Sequence, residues 1–174
     1  MNKQNRHLLA IALAACAALT SAAAGAIAAP APVYVHMNGD NDFLEPVVAV
    51  EPGQAVVFVS QDTGGVHTIV GYDPKTGATL PSINGVVAKT QGPGHPVSVY
   101  AVRLTKPGVY DYYCSVHADL AKTHGGVVQA AHKPGVDGFT GAMAGEIIVT
   151  NDPDLLRANP ATSAEKIVPG FFGG

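Results

Sequence analysis

Cys114-Ser115-Val116-His117 sets a thiol and an imidazole three residues apart, at the end of the β-prone run Val109-Tyr110-Asp111-Tyr112-Tyr113. Where a strand curls into a loop, side chains at that spacing can converge on one ion. A thiolate with an imidazole selects soft or borderline metals over magnesium and calcium, which take oxygen donors. A third donor must come from elsewhere in the chain. His67 is suited to it, because it stands in the run Val66-His67-Thr68-Ile69-Val70 beside Gly64-Gly65. Two imidazoles and a thiolate in a plane, with a weak axial thioether, form the arrangement that holds copper in electron-transfer sites. Zinc also accepts Cys and His, but structural zinc sites show paired ligand spacings. Here there is one Cys-x-x-His and no second cysteine pair.

The cysteine count sharpens this reading. The 174-residue chain has two cysteines, Cys16 and Cys114. Lys3 and Arg6 open a basic segment, an Ala-rich apolar stretch follows to Ala29, and Ala26-Ile27-Ala28 offers a small-x-small cleavage site before Pro30. Residues 1–29 therefore read as a secretory signal peptide, and the mature domain as periplasmic or secreted with no membrane span. Leu13-Ala14-Ala15-Cys16 also resembles a lipobox, which leaves a lipoprotein anchored through Cys16 as the alternative. If the leader is cleaved, Cys114 remains as a lone thiol in an oxidising compartment, with no cysteine to pair with. A bound metal is its simplest occupant. The leader also takes two of the ten basic residues and none of the 13 acidic ones, so the mature net charge is −5. That acidity argues against a nucleic-acid partner.

The elements that must position these donors are short strands. Val33-Tyr34-Val35-His36-Met37, residues 46–50, residues 55–60, residues 66–71, residues 97–104, residues 109–114 and residues 146–150 all read as strands. Turn signals separate them, among them Glu51-Pro52-Gly53-Gln54 and Lys106-Pro107-Gly108. Such spacing predicts an all-β antiparallel sandwich of residues 30–150, followed by a Pro-containing extension over 151–174. Residues 71–96 read as loop-rich. Residues 118–142 read as a long Gly-rich loop with one short helical turn near 119–122. By strand alternation, Tyr112 and Tyr113 divide between core and surface.

In order along the chain, several of these stretches resemble the cupredoxins, in particular plastocyanin and pseudoazurin. Gly108-Val109-Tyr110-Asp111-Tyr112-Tyr113-Cys114-Ser115-Val116-His117 resembles the plastocyanin ligand loop. Met143-Ala144-Gly145-Glu146-Ile147-Ile148-Val149 resembles that family's axial methionine and last strand. Glu51-Pro52-Gly53-Gln54-Ala55-Val56-Val57-Phe58, followed by Val66-His67-Thr68-Ile69-Val70, is similar to the region supplying the first histidine. The resemblance covers residues 33–150. It implies a Greek-key β-sandwich with an extended ligand loop, and one copper per chain held by His67, Cys114 and His117 with Met143 as weak axial ligand. It further implies a monomer that carries single electrons between redox proteins such as a cytochrome or an oxidoreductase, and no enzymatic activity. A copper-binding or copper-tolerance protein of the periplasm is the alternative, and a copper enzyme with an open coordination site is a further one.

The chain departs from that family in three places. It puts 25 residues between His117 and Met143, where the family has a few. Thr68 follows His67 where plastocyanins have Asn, so a hydrogen bond around the site should differ. The acidic docking stretches of plant plastocyanins are missing, so a photosynthetic partner is not implied. His124 and His132 lie in the added segment. They read either as solvated loop residues or as a second copper site or replacement axial ligand. His36 and His95 read as solvent or loop histidines.

Overall fold

The computed structural model describes residues 29–60, 65–90, 97–136 and 141–159. The expected leader, Cys16 included, lies outside the described residues except for Ala29, as do His95 and residues 160–174. The described residues form ten strands and one short helix in the order β1 (Val33–Met37), β2 (Val47–Val50), β3 (Ala55–Ser60), β4 (His67–Tyr72), β5 (Thr79–Val87), β6 (Ser98–Arg103), β7 (Gly108–Tyr113), β8 (Ala118–Lys122), β9 (Val128–His132), β10 (Ala144–Val149) and α1 (Pro153–Arg157). One sheet has the order β1-β3-β6 and the other β2-β10-β7-β4-β5, while β8 and β9 form a separate two-stranded hairpin. Apart from the pairs β4–β5 and β8–β9, strands next to each other in sequence lie in different sheets, and the expected all-β Greek-key sandwich is what the chain forms, with two parallel pairs, β1–β3 and β2–β10, where antiparallel pairing was expected.

Alternation along the strands directs one face of each sheet inward. Val35, Val56, Phe58 and Val102 of the first sheet meet Val48, Val50, Ile69, Tyr112, Ile147 and Val149 of the second in one buried cluster. Aromatic rings join the layers. Tyr112 stands edge-on to Phe58 at 5.1 Å between ring centroids and to Phe43 at 5.0 Å. Its hydroxyl donates to the Pro46 carbonyl at 3.2 Å, so the one polar atom of a fully buried side chain is satisfied. Burial, with the carboxylates of Glu45, Asp42 and Glu146, holds this phenol well above its ordinary range. Tyr113 points the other way, half-buried, its ring edge-on to Tyr72 at 5.6 Å. The expected division of the two tyrosines is observed.

At residues 51–54 the turn forms as its residue types dictate. Gln54 N–H bonds the Glu51 carbonyl at 2.9 Å, and Gly53 takes φ +84°, which a type II turn requires at that position. The extension is tied to the sandwich. Asn159 lies beyond α1, and its side-chain amide both accepts from Ala49 N–H, at 2.7 Å, and donates to the Ala49 carbonyl. Ala49 lies on β2, the edge of its sheet, so this amide occupies backbone groups that would otherwise be open to another strand.

Three local expectations are corrected. Residues 79–87, read as part of a loop, form the longest strand. Neither Pro81 nor Gly85 prevents this. Pro81 falls in the irregular stretch between the pairs Val70–Asn84 and Tyr72–Thr79, on the edge strand of the sheet, where a missing N–H is tolerated. Gly85 admits the Tyr100 ring, since a Cβ there would lie 2.3 Å from a ring carbon. Second, residues 118–122 are a strand and not a helical turn. Ala118 to Lys122 pair with His132 to Val128, closed by a turn with Gly126 at φ +79°. Cross-strand pairing has overridden the weak helical preference of Ala, Leu and Lys. Third, His36 is fully buried. Its Nδ1 lies 3.1 Å from Glu45 Oε2, and its backbone N–H donates to the same oxygen at 2.8 Å. The turn over residues 38–42 folds the chain back so that a buried carboxylate meets a buried imidazole, a pairing that no local pattern announces.

Candidate metal centre

Cys114 follows the last residue of β7 and is fully buried. Its N–H donates to the Met143 carbonyl at 2.9 Å, extending the β7–β10 ladder one residue beyond the Tyr113–Ala144 pair. The chain then turns tightly. Both His117 N–H, at 3.1 Å, and Ala118 N–H, at 2.8 Å, bond the Cys114 carbonyl. This turn is what makes a three-residue spacing useful, for it brings His117 Nδ1 to 3.2 Å from Cys114 Sγ.

His67 arrives from β4, which pairs with β7 through Val70–Tyr113, Gly71–Tyr112 and Tyr72–Asp111. It is fully buried, and its ring centroid lies 5.0 Å from that of His117 at an interplanar angle of 54°. One potential ligand atom from each of His67, Cys114 and His117 lies within 4.8 Å of the others. Among the described residues they are the one such cluster of His, Cys, Asp and Glu. The three candidate donors separated by 50 positions of sequence are thus together. Met143, buried at 1% exposure, immediately precedes β10 and belongs to the same core cluster as Cys114. His124 and His132 are exposed and outside the cluster. His132 Nδ1 lies 3.4 Å from the Gly141 carbonyl.

Thr68 links the strand carrying His67 to the loop carrying Cys114. Its N–H donates to Cys114 Sγ at 3.3 Å, its hydroxyl oxygen accepts from Ser115 N–H at 2.8 Å, and it lies 2.9 Å from Ser115 Oγ. Thr68, in the place where plastocyanins have Asn, thus bonds across to the cysteine loop. Burial pushes the Cys114 thiol up, but hydrogen bonds involving His67, Thr68 and the Val116 N–H outweigh it and leave the thiol below its ordinary value. Donors aimed at a sulfur favour its thiolate, the form that ligates metals. Two imidazoles and a thiolate-prone cysteine in a largely buried pocket suit a soft or borderline ion.

No protein-family model matches the chain, and no curated protein matches it. Among solved structures the chain is similar to amicyanin from Paracoccus versutus, at 19% identity over 71% of this chain and 86% of that one, with a TM-score of 0.41. It is similar to a purple cupredoxin from Nitrosopumilus maritimus, at 18% identity over 68% of this chain and 99% of that one, with a TM-score of 0.42. A reduced amicyanin variant is 17% identical over 72% of this chain and 88% of that one, with a TM-score of 0.43.

Proposed function

We propose that the protein is an exported type 1 copper protein that passes single electrons between redox partners. His67, Cys114 and His117 would hold one copper ion per chain, with Met143 as a further, weak donor. The observation that carries this reading is the convergence of two imidazoles with a buried cysteine whose thiol is held low. When bound, copper supplies the one-electron couple between Cu(II) and Cu(I).

The chain's contribution is a donor set with little freedom to move. Cys114 is held by its N–H on the Met143 carbonyl and by the Thr68 N–H on its sulfur, and His117 by the turn that closes on the Cys114 carbonyl. Donors fixed in this way suit a site that must serve two oxidation states with little rearrangement. His67 and Cys114 are fully buried, whereas His117 is half-buried and reaches the surface. Val116 and Val66 stand exposed beside the two histidines. His117 is therefore the edge where a partner such as a cytochrome or an oxidoreductase approaches. The basic and apolar leader over residues 1–29 supports export to the periplasm or medium, with residues 30–150 as the functional domain and 151–174 as an extension. Among the described residues no helix is long and apolar enough to cross a membrane.

Loading the mature chain with Cu(II) should yield one ion per chain and an intense visible thiolate-to-copper band. Cys114→Ser should remove the band while the domain stays folded. Met143→Gln should retain copper and lower the reduction potential, because an oxygen donor favours Cu(II). A colourless complex of the wild type would sink the type 1 reading. A coloured protein that grips Cu(I) yet exchanges no electrons with a cytochrome would make it a copper-binding protein instead.

A further inference from the structure

Lys133 immediately follows β9, and its Nζ lies 3.1 Å from the Ser115 carbonyl oxygen. Ser115 sits between Cys114 and His117 in the turn that brings their side chains together. The turn is thus held from two sides. Thr68 bonds the Ser115 N–H and approaches its hydroxyl from β4, and Lys133 binds the Ser115 carbonyl from the hairpin. The other partner of the ammonium is Asp119, at 3.6 Å. Asp119 is 58% exposed while the Lys133 side chain is 36% exposed, so that ion pair is the more heavily screened of the two contacts.

We infer that Lys133 is a positioning residue for the Cys114–His117 turn and that its ammonium raises the reduction potential of the ion held there. The second half rests on the copper reading. With one thiolate and two neutral imidazoles, the site carries one net positive charge when oxidised and none when reduced. A nearby partly shielded cation disfavours the more positive state. The hairpin thereby acts on the metal loop while none of its own side chains joins the donor cluster.

The test compares wild type, Lys133→Met and Lys133→Arg in the copper-loaded mature chain. Lys133→Met should shift the redox equilibrium about threefold toward the oxidised form, about 30 mV at 59 mV per decade for one electron. Lys133→Arg, which keeps charge and donor, should restore the wild-type potential. An unchanged potential in Lys133→Met, whatever its thermal stability, overturns the electrostatic role. A wild type without the visible band overturns the copper reading and leaves the positioning role to be read in metal-free protein. There, amide exchange at Val116 and His117 should quicken in Lys133→Met and not in Lys133→Arg. Equal exchange in all three proteins overturns the positioning role.

Discussion

The Cys114–His117 turn and the β8–β9 hairpin are contiguous in sequence, yet they are held in different ways. In the turn, main-chain and sulfur bonds reach residues remote in sequence: Cys114 N–H to the Met143 carbonyl, Thr68 N–H to Cys114 Sγ, and Ser115 N–H to Thr68 Oγ1. The hairpin mostly bonds itself, through the five pairs from Ala118–His132 to Lys122–Val128. It meets the sandwich chiefly through Val128, whose side chain is buried against Gly77 and whose N–H donates to the Pro74 carbonyl at 2.7 Å. Beside it, Tyr72, Asp111 and Glu146 line, with Gln129 and Ala130, an open groove of about 270 Å³. The sandwich core has tight aromatic contacts, while the hairpin interface leaves space. The 25 residues between His117 and Met143 therefore stand beside the clustered side chains largely as a separately bonded element. β4 and β7 bring His67, Cys114 and His117 together, and the segment between His117 and Met143 touches their turn through Lys133.

That contrast can be broken, and the largest effect belongs to the core. Phe58→Ala removes a fully buried ring that touches both Tyr112 and Phe43, and should cost about 3–5 kcal/mol in denaturant unfolding. Trimming the hairpin should cost less. Replacing residues 120–130 by Asn-Gly joins the paired Asp119 and Ala131 through a two-residue turn. It forfeits the burial of Val128, worth about 1.5 kcal/mol or somewhat more, and removes His124, but it keeps Lys133. The copper-loaded variant should retain its visible band. Loss of that band, or destabilisation as large as that of Phe58→Ala, would show that the hairpin is part of the site's foundation.

The smallest effect lies in the open groove between hairpin and sheet. Asp111 and Glu146 stand directly opposite each other on β7 and β10. Burial first, then the Glu146 charge, holds the Asp111 carboxyl above its ordinary value. The folded chain therefore binds that proton more tightly than the unfolded chain, and the resulting stability is lost as pH rises through the raised value. Asp111→Asn should stabilise the protein at neutral pH by about 0.5 kcal/mol, the scale of a like-charge pair across strands. The gain should disappear in acid, where the carboxyl is protonated in both states. A gain that persists at low pH would place its origin in packing and not in charge.

Much of the fold was legible because its signals are local. Pro52-Gly53 can make few turns other than the one observed, and alternation in β7 separated Tyr112 from Tyr113 before any contact was known. Where a residue's role depended on a distant neighbour, the reading failed. Residues 79–87 read as loop because what fills the space above Gly85 is the ring of Tyr100, 15 positions away. His36 looked solvated because nothing nearby in sequence marks Glu45 as its buried partner. Residues 118–122 carry helical preferences that only pairing with β9 overrules.

For the candidate site, the sequence by itself determined the chemistry. It supplies one thiol outside the expected leader, an imidazole three residues on, a second imidazole in an apolar run and a single methionine before the last strand. Residue type and short spacing carry that information, because donor softness is a property of atoms. The tertiary structure alone decided the convergence. The β4–β7 pairing brings His67 to Cys114, the β7–β10 ladder seats Met143 beside it, and the hairpin returns Lys133 to the Ser115 carbonyl. These contacts close long loops at a cost in chain entropy that the buried cores and ladders of the whole sandwich must offset, so no local segment can specify them.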